Sequence, residues 1–170
     1  AVGIFIGDTA FSDPYIYGVV PDLSAFDLYD VEVLKGPQGT LFGGSALVGA
    51  IRYQLQEPEI GLWKGRAFAQ HISMDDGSPA LTSGLMLNAP LGTDGGLAAR
   101  VVYVKREYGG GYDITRPGRE QEDVNEGKGD QVRAQLLWQP NDAWRFKLTH
   151  LDQDFSTPDA ANTNTEPRPP

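Results

Sequence analysis

The sequence predicts a mainly β chain in two parts, a glycine-jointed first region followed by about five antiparallel strands in succession. Three observations predict it. From residue 62 onward apolar and polar side chains alternate with the period of two that a pleated strand imposes. Turn-rich stretches cut the alternating segments apart at short intervals. No segment approaches the ~18 consecutive apolar residues of a membrane-spanning helix, so a closed barrel is the one way left for such a chain to cross a bilayer.

The first region opens on a strand at 4–6 and a loop through Tyr15 and Tyr17. Val31 and Val33, with polar Glu32 between them, then give the alternation of a half-buried strand. A tight turn follows. Pro37 fixes its own φ and disfavours helix at Gly36, while Gly36, Gly39, Gly43 and Gly44 permit close approaches that a Cβ obstructs. Leu41, Phe42, Ala46, Leu47, Val48, Ala50 and Ile51 supply apolar anchors on either side. Glu57-Pro58-Glu59 marks a boundary, which divides the chain into residues 1–58 and 59–170.

The second region carries five predicted strands, at 62–73, 80–89, 97–106, 131–139 and 143–152. Leu81, Ser83, Leu85, Leu87 and Ala89 share one face, opposite Thr82, Gly84, Met86 and Asn88. Leu97, Ala99, Val101 and Tyr103 oppose Ala98, Arg100, Val102 and Val104. Val132, Ala134, Leu136 and Trp138 oppose Gln131, Arg133 and Gln135, and Trp144, Phe146 and Leu148 oppose Arg145 and Lys147. The charges therefore collect on one face. The strand lengths suit the ~9–11 residues of a tilted transmembrane β-strand. Period two alone fits two architectures: a barrel wall with its oily face in lipid, and a soluble β-sandwich with that face in a packed core. Trp138 and Trp144 flank the short turn at 139–142, as interfacial aromatics do. The short connections at 90–96 and 139–142 contrast with the long polar ones at 107–130 and 155–170, the asymmetry of periplasmic turns and extracellular loops.

Composition narrows function. The chain has 170 residues, with Lys and Arg totalling 14 against 23 Asp and Glu, and the net charge of −9 excludes nonspecific nucleic-acid binding through a basic surface. The absence of cysteine excludes a disulfide framework and a thiolate metal site. His71 and His150 read as surface residues. The pairs Asp75 and Asp76, and Asp152 and Asp154, read as solvated turn carboxylates, without the complete ligand loop that calcium requires. No Gly-Lys-Ser/Thr ends the glycine-rich loop, and Gly43-Gly44-Ser45-Ala46-Leu47 lacks the final glycine of a nucleophile elbow. No enzyme, metal site or cofactor is expected.

The run Val31-Glu32-Val33-Leu34-Lys35-Gly36-Pro37-Gln38-Gly39-Thr40-Leu41-Phe42-Gly43, continuing to Gly49-Ala50-Ile51, resembles the plug-domain signature of TonB-dependent outer-membrane receptors. The resemblance implies that residues 1–58 are the C-terminal part of a plug and residues 59–170 the first strands of a truncated transmembrane β-barrel. It also implies a receptor in the outer membrane of a Gram-negative bacterium. Its partners are outer-membrane lipid, the TonB complex and a scarce small-molecule ligand such as a ferric siderophore, cobalamin or an oligosaccharide. The family's TonB-contacting box has no counterpart in these residues, so the resemblance implies a fragment of the intact receptor. Glu32, Lys35, Gly36, Pro37, Gln38, Gly39, Gly43 and Gly49 match positions that hold the plug's shape. Lys35 stands where the family carries arginine, keeping a point charge for barrel carboxylates but losing the planar fork. Asp8 is similar to the aspartate that follows a plug strand. Tyr15, Tyr17, Tyr108, Tyr112 and Arg116 are the candidate ligand contacts. The alternative is a soluble β-sandwich that binds carbohydrate or protein through aromatics such as Trp63, Tyr103 and Trp144.

Overall fold

A computed structural model of the chain describes residues 2–11, 23–39, 46, 48–75, 77–92, 96–111, 113–116 and 119–156. Two sheets contain most of them. The first is mixed and four-stranded, built from β1 (Val2–Ile6), β2 (Thr9–Ala10), β3 (Leu28–Lys35) and β4 (Gly49–Leu55) in the order β2-β1-β4-β3. β1 runs parallel to β4, from Val2 opposite Gly49 to Ile6 opposite Tyr53, and the other pairings are antiparallel. The β3–β4 connection is closed by backbone bonds from Gly36 N to Val48 O (3.1 Å) and from Gln38 N to Ala46 O (2.9 Å). Gly49 is required where it stands: a Cβ there would lie 2.6 Å from the carbonyl oxygen of Leu34. Phe5, Ala46 and Ala50 form the small core of this sheet, with Leu34 packed against them.

The second sheet is antiparallel and five-stranded. It comprises β5 (Lys64–Ile72), β6 (Ala80–Leu91), β7 (Leu97–Tyr108), β10 (Gly127–Asn141) and β11 (Trp144–Ser156), in the order β11-β10-β7-β6-β5. A small hairpin, β8 (Ile114–Arg116) with β9 (Arg119–Gln121), interrupts the long connection between β7 and β10. The short turn between β10 and β11 is set by Asn141, whose Oδ1 accepts from the backbone N–H of Ala143 (3.0 Å) and of Trp144 (3.1 Å). All five expected strands are present, and β10 and β11 extend several residues further than the alternation of apolar residues indicated.

The faces of the five-stranded sheet are inverted relative to a water-soluble protein. Leu85 and Leu148 on one face are 58% and 68% exposed, while Arg100 and Arg133 on the other are 1% and 2% exposed. Leu87, Val101, Leu136, Trp138, Trp144 and Phe146 join the exposed face, whereas Asn88, Gln131 and Gln135 join the buried one. Trp138 and Phe146 stack at 5.4 Å and Trp144 and Phe146 at 5.7 Å, out on the surface rather than in a core. Among the described residues no second layer covers the oily face, which is what a sandwich requires.

Candidate functional site

The buried face of the five-stranded sheet carries an apolar cluster of Met86, Val102 and Val104 beside its polar groups Asn88, Arg100, Gln131 and Arg133. Residues 23–27, just ahead of β3, lie across it. Ser24 N donates to Gln131 Oε1 on β10 (3.2 Å), and the Ser24 hydroxyl accepts from Phe26 N (3.2 Å). The Phe26 ring packs on Phe68 of β5, with ring centres 4.6 Å apart, and the Arg66 guanidinium lies 5.1 Å over its face. Gly84 of β6 makes room for this pair, since a Cβ there would collide with the Phe68 ring. Asp27 follows in the left-handed region at φ 61°, a conformation that aspartate tolerates better than most residues. This geometry delivers its carboxylate to Arg100 on β7.

The Asp27–Arg100 contact is a buried bidentate pair, with Arg100 Nε 2.8 Å from Oδ2 and Nη2 2.6 Å from Oδ1, and both side chains are 1% exposed. The planar fork matches the carboxylate in a way that lysine cannot. Arg66 Nη1 stands 3.8 Å from the same carboxylate, and Arg133 donates to the Phe26 carbonyl. The remaining Arg100 nitrogen, Nη1, reaches Asn88 Oδ1 (3.4 Å) and Glu59 Oε1 (3.5 Å).

A second attachment runs through the segment that joins the sheets. Asn88, fully buried on β6, accepts from Glu59 N (2.9 Å) and donates to the carbonyls of Glu59 (2.9 Å) and Leu62 (2.6 Å). Glu57 reaches across to β11, where it pairs with Lys147 (2.8 Å) and Arg145. The hydrogen bond from Lys147 holds the Glu57 carboxyl below its ordinary range; partial burial opposes it, and the charges of Lys147 and Arg145 add to it. The hydrogen bond from Lys64 lowers the Glu59 carboxyl likewise.

Between the mixed sheet and β10–β11 lies an open cleft of about 590 Å³, bordered by Asp8, Arg52, Glu57 and Lys147 and equally by the apolar Ile6, Phe11, Leu55 and Leu151. Arg52 organises its floor by donating to Gly7 O (2.9 Å), Asp8 Oδ1 (2.6 Å) and Glu32 Oε2 (3.2 Å), while Gln54 donates to Glu32 Oε1. The charges lining the cleft are thus tied to one another. Among the described residues no group of three His, Asp or Glu side chains is placed to hold a metal ion.

Of the residues singled out from sequence, Glu32 is the best connected, through Arg52 and Gln54. Lys35 is exposed at the end of β3 and forms no ion pair among the described residues. The buried carboxylate contact runs the other way, from Asp27 ahead of β3 to Arg100 of β7. Gly36, Pro37, Gln38, Gly39 and Gly49 lie at the β3–β4 connection. Tyr108 ends β7, and Arg116 ends β8 by its backbone. Tyr15, Tyr17, Gly43 and Tyr112 lie outside the described residues. Ser24, Asp27, Asn88 and Gln131 were not singled out as site residues. The usable signal was the inward alternation of Asn88, Arg100, Gln131 and Arg133; residues 23–27 carry no periodic pattern.

No protein-family model matches the chain. Solved structures share its fold, two of them outer-membrane receptors. One is the pyoverdine outer membrane receptor FpvA from Pseudomonas aeruginosa PAO1 bound to pyoverdine, at TM-score 0.67 and 22% identity, covering 90% of this chain and 20% of that one. The other is the ferripyoverdine receptor of the outer membrane of Pseudomonas aeruginosa bound to ferripyoverdine, at TM-score 0.66 and 22% identity, covering 90% of this chain and 19% of that one. The chain spans about a fifth of the length of these structures, and at this identity the likeness is one of fold.

Proposed function

We propose that residues 1–58 are the C-terminal part of a plug and residues 59–170 the first strands of an outer-membrane β-barrel, in a TonB-energised receptor that takes up a scarce ligand. The observation that carries this reading is the inverted five-stranded sheet. A face that exposes Leu85, Leu87, Leu136 and Leu148 while burying Arg100 and Arg133 is stable where hydrocarbon replaces water outside and a polar stopper fills the inside. The mixed sheet and residues 23–28 occupy the stopper's place. The fold shared with two outer-membrane receptors supports the same assignment.

In this reading the chain performs no chemistry of its own. It binds, and the partner proteins supply the energy that loosens the plug. Glu32, Lys35 and the glycines around Pro37 keep the plug's shape, and Tyr15, Tyr17, Tyr108, Tyr112 and Arg116 face the ligand. A ferric siderophore, cobalamin or an oligosaccharide fits this class. The test is fractionation of the full-length protein, together with growth on a panel of ferric siderophores, cobalamin and maltodextrins as scarce nutrients in strains with and without TonB. Recovery in the outer membrane and TonB-dependent growth are expected. Recovery in the soluble fraction would sink the reading.

A further inference from the structure

Arg100 is contacted by two carboxylates that belong to different parts of the chain. Asp27 takes its Nε and Nη2, at 2.8 and 2.6 Å, and lies in the segment at 23–27. Glu59 stands 3.5 Å from the remaining nitrogen, Nη1, and lies in the connection between β4 and β5. The two are fastened independently. Asn88 of β6 holds the backbone of Glu59 from both sides, accepting from its N–H (2.9 Å) and donating to its carbonyl (2.9 Å), so Glu59 is fixed to the five-stranded sheet. The segment at 23–27 has other attachments: Asp27 itself, the Phe26–Phe68 ring contact, Ser24 N on Gln131 and Arg133 on the Phe26 carbonyl. When that segment lifts away, Asp27 leaves with it and Glu59 stays.

The Glu59 carboxylate is only half committed where it stands. Lys64 Nζ donates to Oε1 at 2.9 Å and Arg100 reaches that same oxygen, which leaves Oε2 without a partner among the described residues. The Lys64 and Glu59 side chains are 43% and 33% exposed, so water replaces their mutual contact at little cost, whereas Arg100 is 1% exposed. A buried guanidinium stripped of its carboxylate is the unfavourable state. With its backbone fixed, Glu59 needs only side-chain rotation to bring Oε2 onto Arg100. Its charge acts on the resting state as well: two carboxylates on one cation repel each other, so each weakens the hold of the other.

We infer that Glu59 is a standby counter-ion for Arg100, taking over the guanidinium as Asp27 withdraws, so that the Asp27–Arg100 contact is a latch that opens without stranding a buried charge. The inference rests on the receptor reading above and adds a device by which the plug loosens while the wall keeps its own charge balance. Lys64 sets the resting position by drawing Glu59 towards solvent, and it is left to water when Glu59 turns to Arg100. Asn88 is the pivot, since its Oδ1 accepts from Glu59 N and lies 3.4 Å from Arg100 Nη1.

The experiment is hydrogen exchange of amides 24–28, followed by mass spectrometry in the full-length protein in detergent micelles. Glu59→Gln keeps the backbone bonds to Asn88 but removes the charge, and it is expected to slow exchange about threefold, the effect of losing one half-exposed ion pair. Lys64→Met frees Glu59 for Arg100 and is expected to speed exchange by about the same factor. In an Asp27→Asn background Glu59→Gln is expected to lose its slowing effect, because no carboxylate remains for Glu59 to displace. A purely supporting role for Glu59 predicts the opposite sign: faster exchange in Glu59→Gln overturns the latch, and so does exchange equal to that of the unsubstituted protein. Where Glu59→Gln fails to reach the membrane, Lys64→Met decides alone, and unchanged or slower exchange in it overturns the latch. Fractionation of the same cells separates the two readings: outer-membrane protein without these exchange differences removes only the latch, while unsubstituted protein in the soluble fraction removes the receptor reading and the use of the latch in uptake with it.

Discussion

Asp27 is the residue on which the joining of the two sheets depends. Burying a carboxylate and a guanidinium costs several kcal/mol per ion, and the pair recovers that only when geometry is good and the leftover donors are satisfied. Both conditions hold here: the contact is bidentate, and Asn88 and Glu59 take the remaining nitrogen of Arg100. Removing one partner strands the other. Asp27→Asn in the full-length protein is therefore expected to weaken the hold on residues 23–28 by about 3–5 kcal/mol, read as faster hydrogen exchange of amides 24–28. The double replacement Asp27→Asn with Arg100→Met is expected to recover much of the protection, because no uncompensated charge remains buried. Unchanged exchange in the single variant would mean that Phe26 and the backbone contacts hold the segment without the ion pair. From sequence alone Arg100 was legible as an inward charge, but its partner was not. Asp27 sits in a left-handed turn outside any strand, and its role is fixed by a contact between positions 73 residues apart.

At the scale of elements, the border between oily and charged residues on the outward face runs obliquely to the strands. Register places Leu81 of β6 level with Glu107 of β7 and Lys128 of β10, and Leu148 of β11 level with Ala89 of β6. Apolar residues therefore persist to Leu81 on β6 but stop at Tyr103 on β7 and at Leu148 on β11. Strands tilted within a horizontal band of lipid produce such a slanted border. Beyond it Lys105 pairs with Glu107, and the Tyr103 hydroxyl at the border donates to Asp130. Leu85 lies inside the band on β6, so Leu85→Arg is expected to destabilise the full-length protein by about 2–4 kcal/mol in phospholipid bilayers, measured by urea unfolding. A neutral effect would place that face in water. The same border explains why strand ends were the least legible part of the sequence. Lys128, Asp130 and Asp154 look like loop residues when charge is taken as the sign of solvent, yet they continue β10 and β11 beyond the oily band. The strand β4 was also missed, although Ile51, Tyr53 and Leu55 alternate with Arg52 and Gln54 and it is the antiparallel partner of neighbouring β3; only its second pairing, parallel to β1, is non-local.

For the whole molecule, the two sheets present opposite problems to water. The mixed sheet buries a modest core around Phe5 and Ala50, whereas the five-stranded sheet turns its apolar face outward and, among the described residues, leaves β5 and β11 paired on one side only. Open edges and an uncovered oily face are the two features that soluble β proteins avoid, since each is a template for association. A bilayer removes the second, and closure of the sheet onto further strands removes the first. Among the described residues nothing satisfies either in aqueous buffer. The chain is expected to associate there and to disperse when detergent above its micellar concentration covers Leu85, Leu136, Trp138 and Leu148, with size-exclusion chromatography coupled to light scattering as the readout. Retention of strand signal by circular dichroism in the dispersed state would separate covering of a formed sheet from simple solubilisation of unfolded chain. A monodisperse, strand-rich monomer in detergent-free buffer would show that water is the natural surrounding of the oily face, and the orientation from which the receptor assignment follows would then be reversed.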